Sequence, residues 1–401
     1  MLRLLIVPGI FLAGLICSCG DAPETVKADT VPADSTGYWS ERMNIPEKTS
    51  ALDTFFAKRF VEGTFSGCVL VAQHGIVLYE KAFGWETHEC RDSLSLESSF
   101  QLASVSKQFT AAAVLSLVQD GKLSLDDTLR KFFPQLPYYG VTIHDLLTHR
   151  AGLDKYTNIC DKHYRDKGVD PPELYTNDSV IALFSRLSVN ALRKPGEKFD
   201  YSNTGYVMLA SVVEKVSGKK FWKYMDDRFF IPLEMEHTWV NGDGKEHLHR
   251  AHGYYKSWNR WDDGFLDDVS GDKGVYTTVD DLFRWDRALR SGKVIQPDLL
   301  VKAYTPYSEE LRGKKTWNYG YGWRTINFED GALAVFHNGW WHGYTSTFYR
   351  GLSDDVTIIM LCNKFNKGIY NVRPLLEILG AHTVHGEEEN SSADSTESGS
   401  R

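Results

Sequence analysis

Ser104 and Lys107, in the run Ala103-Ser104-Val105-Ser106-Lys107, place a hydroxyl and an amine three residues apart. On a helix such a pair leaves from one face and can hydrogen-bond. Serine is a poor nucleophile at neutral pH and needs a base, and a lysine whose pKa falls on burial can take its proton. A serine with its own amine base is the simplest device for acyl transfer. The start of a helix adds backbone N–H groups and a positive dipole end where the oxyanion of a tetrahedral intermediate would form. The spacing alone is weak, because Ser217-Gly218-Lys219-Lys220 repeats it beside a helix-ending glycine. Ser104 differs in its C-terminal neighbours: Phe109, Ala111, Ala112, Ala113, Val114, Leu115, Leu117 and Val118 make a helix apolar nearly all round, which predicts burial. A serine there also suits a plain helix N-cap.

Two later segments carry further chemistry. In Tyr201-Ser202-Asn203, the tyrosine offers a second proton-transfer group and the asparagine an amide able to orient Lys107 and a substrate, although both are common turn residues. Trp340 and Trp341 offer an aromatic wall for an acyl or sugar group, or core packing. His247, His249 and His252 have the residue types of a metal site, and His149 reads as a packed structural residue.

These side chains need a scaffold, and 401 residues with 42% hydrophobic and 24% charged content supply a large core. A net charge of -8 and the lack of any Lys/Arg-rich run exclude nucleic acid as an expected partner. Residues 1–18 read as an export signal: a basic start, an apolar stretch too short to span a membrane, then Ile16-Cys17-Ser18-Cys19. Residues 19–46 are rich in Asp, Thr, Ser, Pro and Ala and read as a flexible tether, and 384–401 as a disordered tail. The folded domain is expected over 47–383. It opens with a helix over 47–60 and a β-hairpin over 68–72 and 76–83, turning at His74-Gly75. It closes with strands over 333–337, 344–349 and 356–362 and a helix over 370–381. Between them lie helices over 104–120, 143–147, 179–187, 206–216 and 279–291, with loops over 156–176 and 254–268. The expectation is an α/β (α+β) domain: an antiparallel sheet from both ends of the chain, flanked by helices, with a mostly helical lobe inserted and a cleft where they meet. Export permits a Cys90–Cys160 disulfide, which spacing alone does not establish.

Three segments in order, 100–110 with Ser104 and Lys107, 146–153 (Leu-Leu-Thr-His-Arg-Ala-Gly-Leu) and 201–206 (Tyr-Ser-Asn-Thr-Gly-Tyr), closely resemble the serine β-lactamase and penicillin-binding-protein superfamily. Within it the chain resembles the branch of class C β-lactamases, D-stereospecific peptidases and related esterases, over roughly 49–381. His337-Asn338-Gly339 is the counterpart of the family's Lys-Thr-Gly or His-x-Gly strand. The resemblance implies a β-lactamase/transpeptidase-like fold, Ser104 as the acylated nucleophile, Lys107 as its base and Tyr201 as the relay to leaving group and water. It further implies Asn203 and His337 at the substrate, an oxyanion hole from the N–H groups of Ser104 and Trp340, and Gly339 as room for the substrate backbone. No metal or organic cofactor is implied, and Gly253-Tyr254-Tyr255 after the histidines resembles a family strand start. A largely neutral His337 in place of lysine offers a weak, pH-dependent charge for a substrate carboxylate. That favours an esterase or D-amino-acid peptidase over a β-lactamase or DD-carboxypeptidase; a non-catalytic binder of cell-wall peptide or a partner protein is the rival class. The start resembles a bacterial lipobox, which implies cleavage before Cys19, lipidation of its thiol and a membrane anchor in the cell envelope; Cys17 is a poorer site because Ile16 precedes it.

Overall fold

Two runs of β-branched and aromatic residues separated by His74-Gly75 form the first hairpin, β1 (Gly67–Gln73) and β2 (Ile76–Phe83). Both turn residues have positive φ, 51° and 76°, the geometry that a two-residue hairpin loop demands. The computed structural model describes residues 44–172, 175–312 and 316–383; the export signal, Cys19, nearly all of the tether and the 384–401 tail lie outside them.

The remaining strands of the main sheet come from the other end of the domain: β3 (Asn318–Tyr319), β4 (Arg324–Asn327), β5 (Leu333–Trp341), β6 (Tyr344–Gly351) and β7 (Val356–Cys362). Their order is β2-β1-β7-β6-β5-β4-β3, every neighbour antiparallel. β1, β6 and β7 are buried at every position, so both faces of the sheet are covered. Strands β3 and β4, two and four residues long, are too short to show a period in the sequence. β5 runs past residue 337 to Trp341, which puts His337, Asn338 and Gly339 inside a strand. Its partner β4 reaches only Leu333–Phe336, so beyond Phe336 the outer edge of β5 has no β4 residue opposite it.

The helix Ile45–Val61 starts two residues earlier than expected, with Pro46 pre-setting its first turn; its Phe56 ring stacks on Tyr79 at 5.7 Å. The inserted lobe holds helices Lys107–Gln119, Ile143–Leu147, Asn177–Leu187, Asn203–Ser217 and Val279–Arg290. A capping box between Thr142 and Asp145 starts the second of these. The stretch expected to be a loop from 156 is instead a helix, Tyr156–Lys167. Tyr156, Ile159, Cys160 and Tyr164 do recur at helical spacing, but the polar residues between them hide the pattern. Cys90 is exposed and Cys160 buried, and neither is in a disulfide.

A buried ion network joins helix Val279–Arg290 to the sheet. Asp286 and Arg350 are both 0% exposed and paired, with Arg290, Arg287 and the Thr357 hydroxyl completing the shell of Asp286. Burial opposes the carboxylate, but the Arg350, Arg290 and Arg287 guanidiniums outweigh it and hold Asp286 down to about 2. Stability from this group is therefore present above the ordinary carboxylate range and lost as pH falls from about 3.8 toward 2. Asp286→Asn leaves Arg350 buried without its counter-charge and is expected to lower unfolding free energy by roughly 3–5 kcal/mol in urea titrations at pH 7. The deficit should shrink as wild type and variant are compared at falling pH below 3.8.

Candidate active site

Ser104 is the one residue from 98 to 117 that is not buried. It lies in a 3-10 turn, Ala103–Ser106, ahead of helix Lys107–Gln119 rather than in its first α-turn. With three residues per turn, positions 104 and 107 eclipse, and Lys107 Nζ sits 3.0 Å from Ser104 Oγ. Ala103, with φ 48°, bends the chain into the turn from a conformation that L-residues seldom adopt.

The turn is held from both sides. Leu102 N–H donates to Val275 C=O at 2.8 Å, Val275 N–H to Ser106 Oγ at 3.2 Å, and Thr110 Oγ1 to Gly271 C=O at 2.7 Å. On the sheet side, Ser346 Oγ of β6 donates to Leu102 C=O at 2.6 Å. Ser346 is the cross-strand partner of Gly339 on β5. A Cβ on Gly339 would stand 2.2 Å from Leu102 O, 2.4 Å from Ser346 Oγ and 3.1 Å from Ser104 N. The space opened by Gly339 is thus filled by the turn that carries Ser104, not left for a substrate backbone as the family resemblance implied.

Lys107 is 0% exposed. Besides Ser104 it donates to the backbone carbonyl of Asp272 at 2.9 Å, and it lies 5.0 Å from the centre of the Tyr201 ring and 5.7 Å from that of Tyr206. Asp272 C=O is thus an acceptor that orients the amine, whereas Asn203 Oδ1, expected to help orient it, is shut from solvent with no hydrogen bond. Asn203 opens helix Asn203–Ser217, so Tyr201 stands just ahead of that helix. His149 fixes this approach, accepting from Ser202 N–H through Nδ1 (3.2 Å) and from Asp200 N–H through its carbonyl (2.7 Å), with its ring 4.2 Å from that of Tyr201. Burial, then the charge of Lys107, keeps His149 neutral, with its pKa well below the usual histidine range.

His337 departs from expectation. It is 0% exposed, so it backs the site instead of offering charge to a ligand. Its Nδ1 donates to Asn338 C=O at 2.7 Å, which leaves Nε2 to accept from Tyr319 Oη at 3.1 Å. Burial, then Arg324, then Lys107 push its pKa well below the ordinary value, so the imidazole is neutral at physiological pH. Alternation along β5 puts His337, Gly339 and Trp341 on the face of the Ser104 turn and Asn338 and Trp340 on the other. The Trp340 ring accordingly packs 5.7 Å from Phe365, while Trp341 lies under Lys273 Nζ at 4.8 Å. The two tryptophans do not form one wall.

The other candidates scatter. Ser217 ends its helix against Gly218 (φ 70°), its hydroxyl accepting from Lys219 N–H, while Lys220 pairs with Asp178. His247 stacks on Trp239 and bonds Asp243, His249 lies 3.8 Å from Glu86 and from Glu97, and His252 is half-buried elsewhere. Sequence reasoning missed Asp272, Lys273, Tyr156, Tyr319 and Ser346. Nothing in the local pattern of Ser270-Gly271-Asp272-Lys273-Gly274 distinguishes it from a surface turn; only the fold brings it to Lys107.

Fold and site define a class of proteins in which an antiparallel sheet holds a Ser-x-x-Lys turn beneath its longest strand. Residues 52–381 match the Beta-lactamase family model, and the chain belongs to that family. Penicillin-binding protein 4* of Bacillus subtilis (strain 168) is 31% identical over 332 residues, 79% of this chain and 72% of that protein. Protein flp of Staphylococcus aureus (strain NCTC 8325 / PS 47) is 25% identical over 78% of this chain, which spans 62% of its length. Among solved structures, the octameric penicillin-binding protein homologue from Pyrococcus abyssi superposes with TM-score 0.72 at 27% identity, covering 83% of this chain and 78% of that one. The D-amino acid amidase from Ochrobactrum anthropi SV3 (TM-score 0.68, 21% identity, 83% and 98% covered) and EstCE1, a hydrolase with promiscuous acyltransferase activity (0.68, 22%, 84% and 98%), share the fold.

Gly339→Ala should displace the Ser104 turn from the sheet. A shift of about 1 Å at a reacting group lowers rate by ~100-fold, so serine labelling by a fluorophosphonate probe is expected to slow by about that factor. Labelling at the wild-type rate would show that the turn does not depend on this contact.

Proposed function

We propose that this protein is a serine hydrolase that forms an acyl-enzyme on Ser104 and acts on esters or on small amides and peptides, D-amino-acid ones included. The observation that carries the reading is the single accessible hydroxyl in a buried segment, 3.0 Å from a buried amine that also donates to a backbone carbonyl. With one N–H donated to Asp272 C=O, the neutral amine can turn its lone pair to the Ser104 proton and take it. The Ser104 oxygen then bonds the substrate carbonyl carbon, and the carbonyl oxygen takes the negative charge. Backbone N–H groups of Ser104 and Trp340 are the donors proposed for that oxyanion, since the Ser104 N–H lies beside Gly339 and the next stretch of β5 has no β4 partner. Collapse breaks the bond to the leaving group, which leaves with the proton held by Lys107, relayed by the hydroxyl of Tyr201, whose ring centre lies 5.0 Å from the amine. Water attacks the acyl-enzyme, giving its proton to the same pair, and the acid product leaves Ser104 protonated again.

The substrate preference rests on His337. A buried neutral imidazole supplies no charge for a carboxylate, which favours acyl groups without a carboxylate over β-lactams. Kinship with penicillin-binding proteins and a fold shared with a D-amino acid amidase and a hydrolase with promiscuous acyltransferase activity support the general chemistry. Purified protein should hydrolyse p-nitrophenyl esters or D-amino-acid amides at least ~100-fold faster than nitrocefin. Ser104→Ala is expected to lower that activity by about 10,000-fold or more and to abolish the mass increment left by a fluorophosphonate. Unchanged labelling of the variant sinks the assignment.

A further inference from the structure

Beside Lys107 lies a second lysine–tyrosine pair that the reaction above does not use. Asp272 and Lys273 are each 2% exposed, and Tyr156 is fully buried. Lys273 Nζ donates to Tyr156 Oη at 2.6 Å and to Val269 C=O at 3.1 Å; it lies 3.7 Å from Asp272 Oδ1 and over the rings of Trp341 and Tyr156. Tyr156 Oη in turn donates to Asp272 Oδ2 at 3.1 Å. The chain of donors therefore runs from lysine to tyrosine to carboxylate, and it ends on the residue whose backbone carbonyl holds the Lys107 amine. From its backbone, Tyr156 N–H donates to Thr204 Oγ1 at 2.9 Å, which ties the same cluster to the segment just after Tyr201 and Asn203. Two buried charges of opposite sign one residue apart are tolerable only as a pair.

We infer that Tyr156, Asp272 and Lys273 form a charge-balanced clamp of positioning residues, which aims the Lys107 amine at Ser104 through the Asp272 carbonyl while showing it no net charge. The inference rests on the acyl-transfer reading above and goes beyond it in naming what tunes the base. The other groups facing Lys107 are the Ser104 hydroxyl, the rings of Tyr201 and Tyr206, and the imidazoles of His149 and His337, both kept neutral with Arg324 acting on each. On its other side Lys273 acts on Asp267, Asp268 and Cys160. The balance between Asp272 and Lys273 is thus the adjustable charge next to the base.

Opposite substitutions then have opposite effects. Lys107 must be neutral to take a proton, so the rate of Ser104 labelling rises with pH through the Lys107 titration. Lys273→Met leaves the Asp272 carboxylate uncompensated, favours the charged ammonium of Lys107 and should move the midpoint of that rise upward by about one pH unit. Asp272→Asn leaves the Lys273 cation uncompensated and should move it downward by about as much. The double variant D272N/K273M, with both charges gone, should return to the wild-type midpoint.

The experiment measures kinact/KI for a neutral fluorophosphonate against pH in wild type and the three variants, with thermal unfolding recorded for each. A purely structural role would slow all variants without moving the midpoint, or move it the same way in both singles; either result overturns the clamp. Should one single variant fail to fold, the other decides with the double variant: a midpoint that moves in the surviving single and returns in the double supports the clamp, and a midpoint that stays at the wild-type value in that single, or a shifted one in the double, overturns it. Absence of Ser104 labelling in wild type would instead count against the catalytic reading, so the two failures are distinguishable.

Discussion

The amine of Lys107 is wholly removed from water, and the architecture around it is a response to that constraint. A buried ammonium is costly unless hydrogen-bonded, and a buried neutral amine still needs its donors placed. The helix that carries Lys107 is buried over 107–117, so it cannot turn the side chain out to solvent. Partners must come from elsewhere in the chain: a hydroxyl three residues back, a carbonyl 165 residues on, and the faces of Tyr201 and Tyr206. The amine is thereby confined to the neighbourhood of one reachable serine. Confinement of this kind is how a weak nucleophile and a base are held at reacting distance with little entropy left to lose.

The main sheet supplies the rigid reference for this arrangement. Strands from both ends of the domain join in one sheet, and β5 and β6 receive the Ser104 turn through an opening that only glycine at 339 allows. The left-handed Ala103 and the anchored carbonyl of Leu102 belong to the same device. A strained residue of this kind costs about 1–3 kcal/mol and persists where neighbours over-determine it. Ser346 and Val275 bracket the turn from opposite sides, which is the over-determination required.

Much of this is legible in the sequence because it is local. The hairpin at β1 and β2, the apolar helix behind Ser104, the 203–217 helix and the three long C-terminal strands all announce themselves by period and turn chemistry. Ser104, Lys107 and Tyr201 can be singled out by type and spacing, and the fold brings them together. What escapes has a common cause. Asp272 holds Lys107 through its backbone, and a carbonyl leaves no mark on residue type. Tyr156 lies on a helix so polar that its apolar face is lost among charges, and Gly339 serves a neighbour far back in the chain at Leu102. His337 is visible as a candidate, but its burial depends on Tyr319 in a two-residue strand with no readable pattern of its own.

Why a histidine stands at 337 can be argued from the same electrostatics. Lys107 and the Arg324 guanidinium both act on this position, and both oppose a charge there. A third buried cation would need a counter-ion, yet the polar partners provided are the Tyr319 hydroxyl and the Asn338 carbonyl, which suit a neutral imidazole with its proton on Nδ1. Asp272 and Lys273 cancel each other, and His149 is neutral, so the net charges acting around Lys107 are its own and that of Arg324. On the acyl-transfer reading, recognition then falls to the part of β5 that β4 leaves uncovered, whose backbone donors and acceptors are present at any pH. On that same reading a site built so selects by the direction of hydrogen bonds and the shape of the acyl group, and His337 offers a substrate carboxylate no charge.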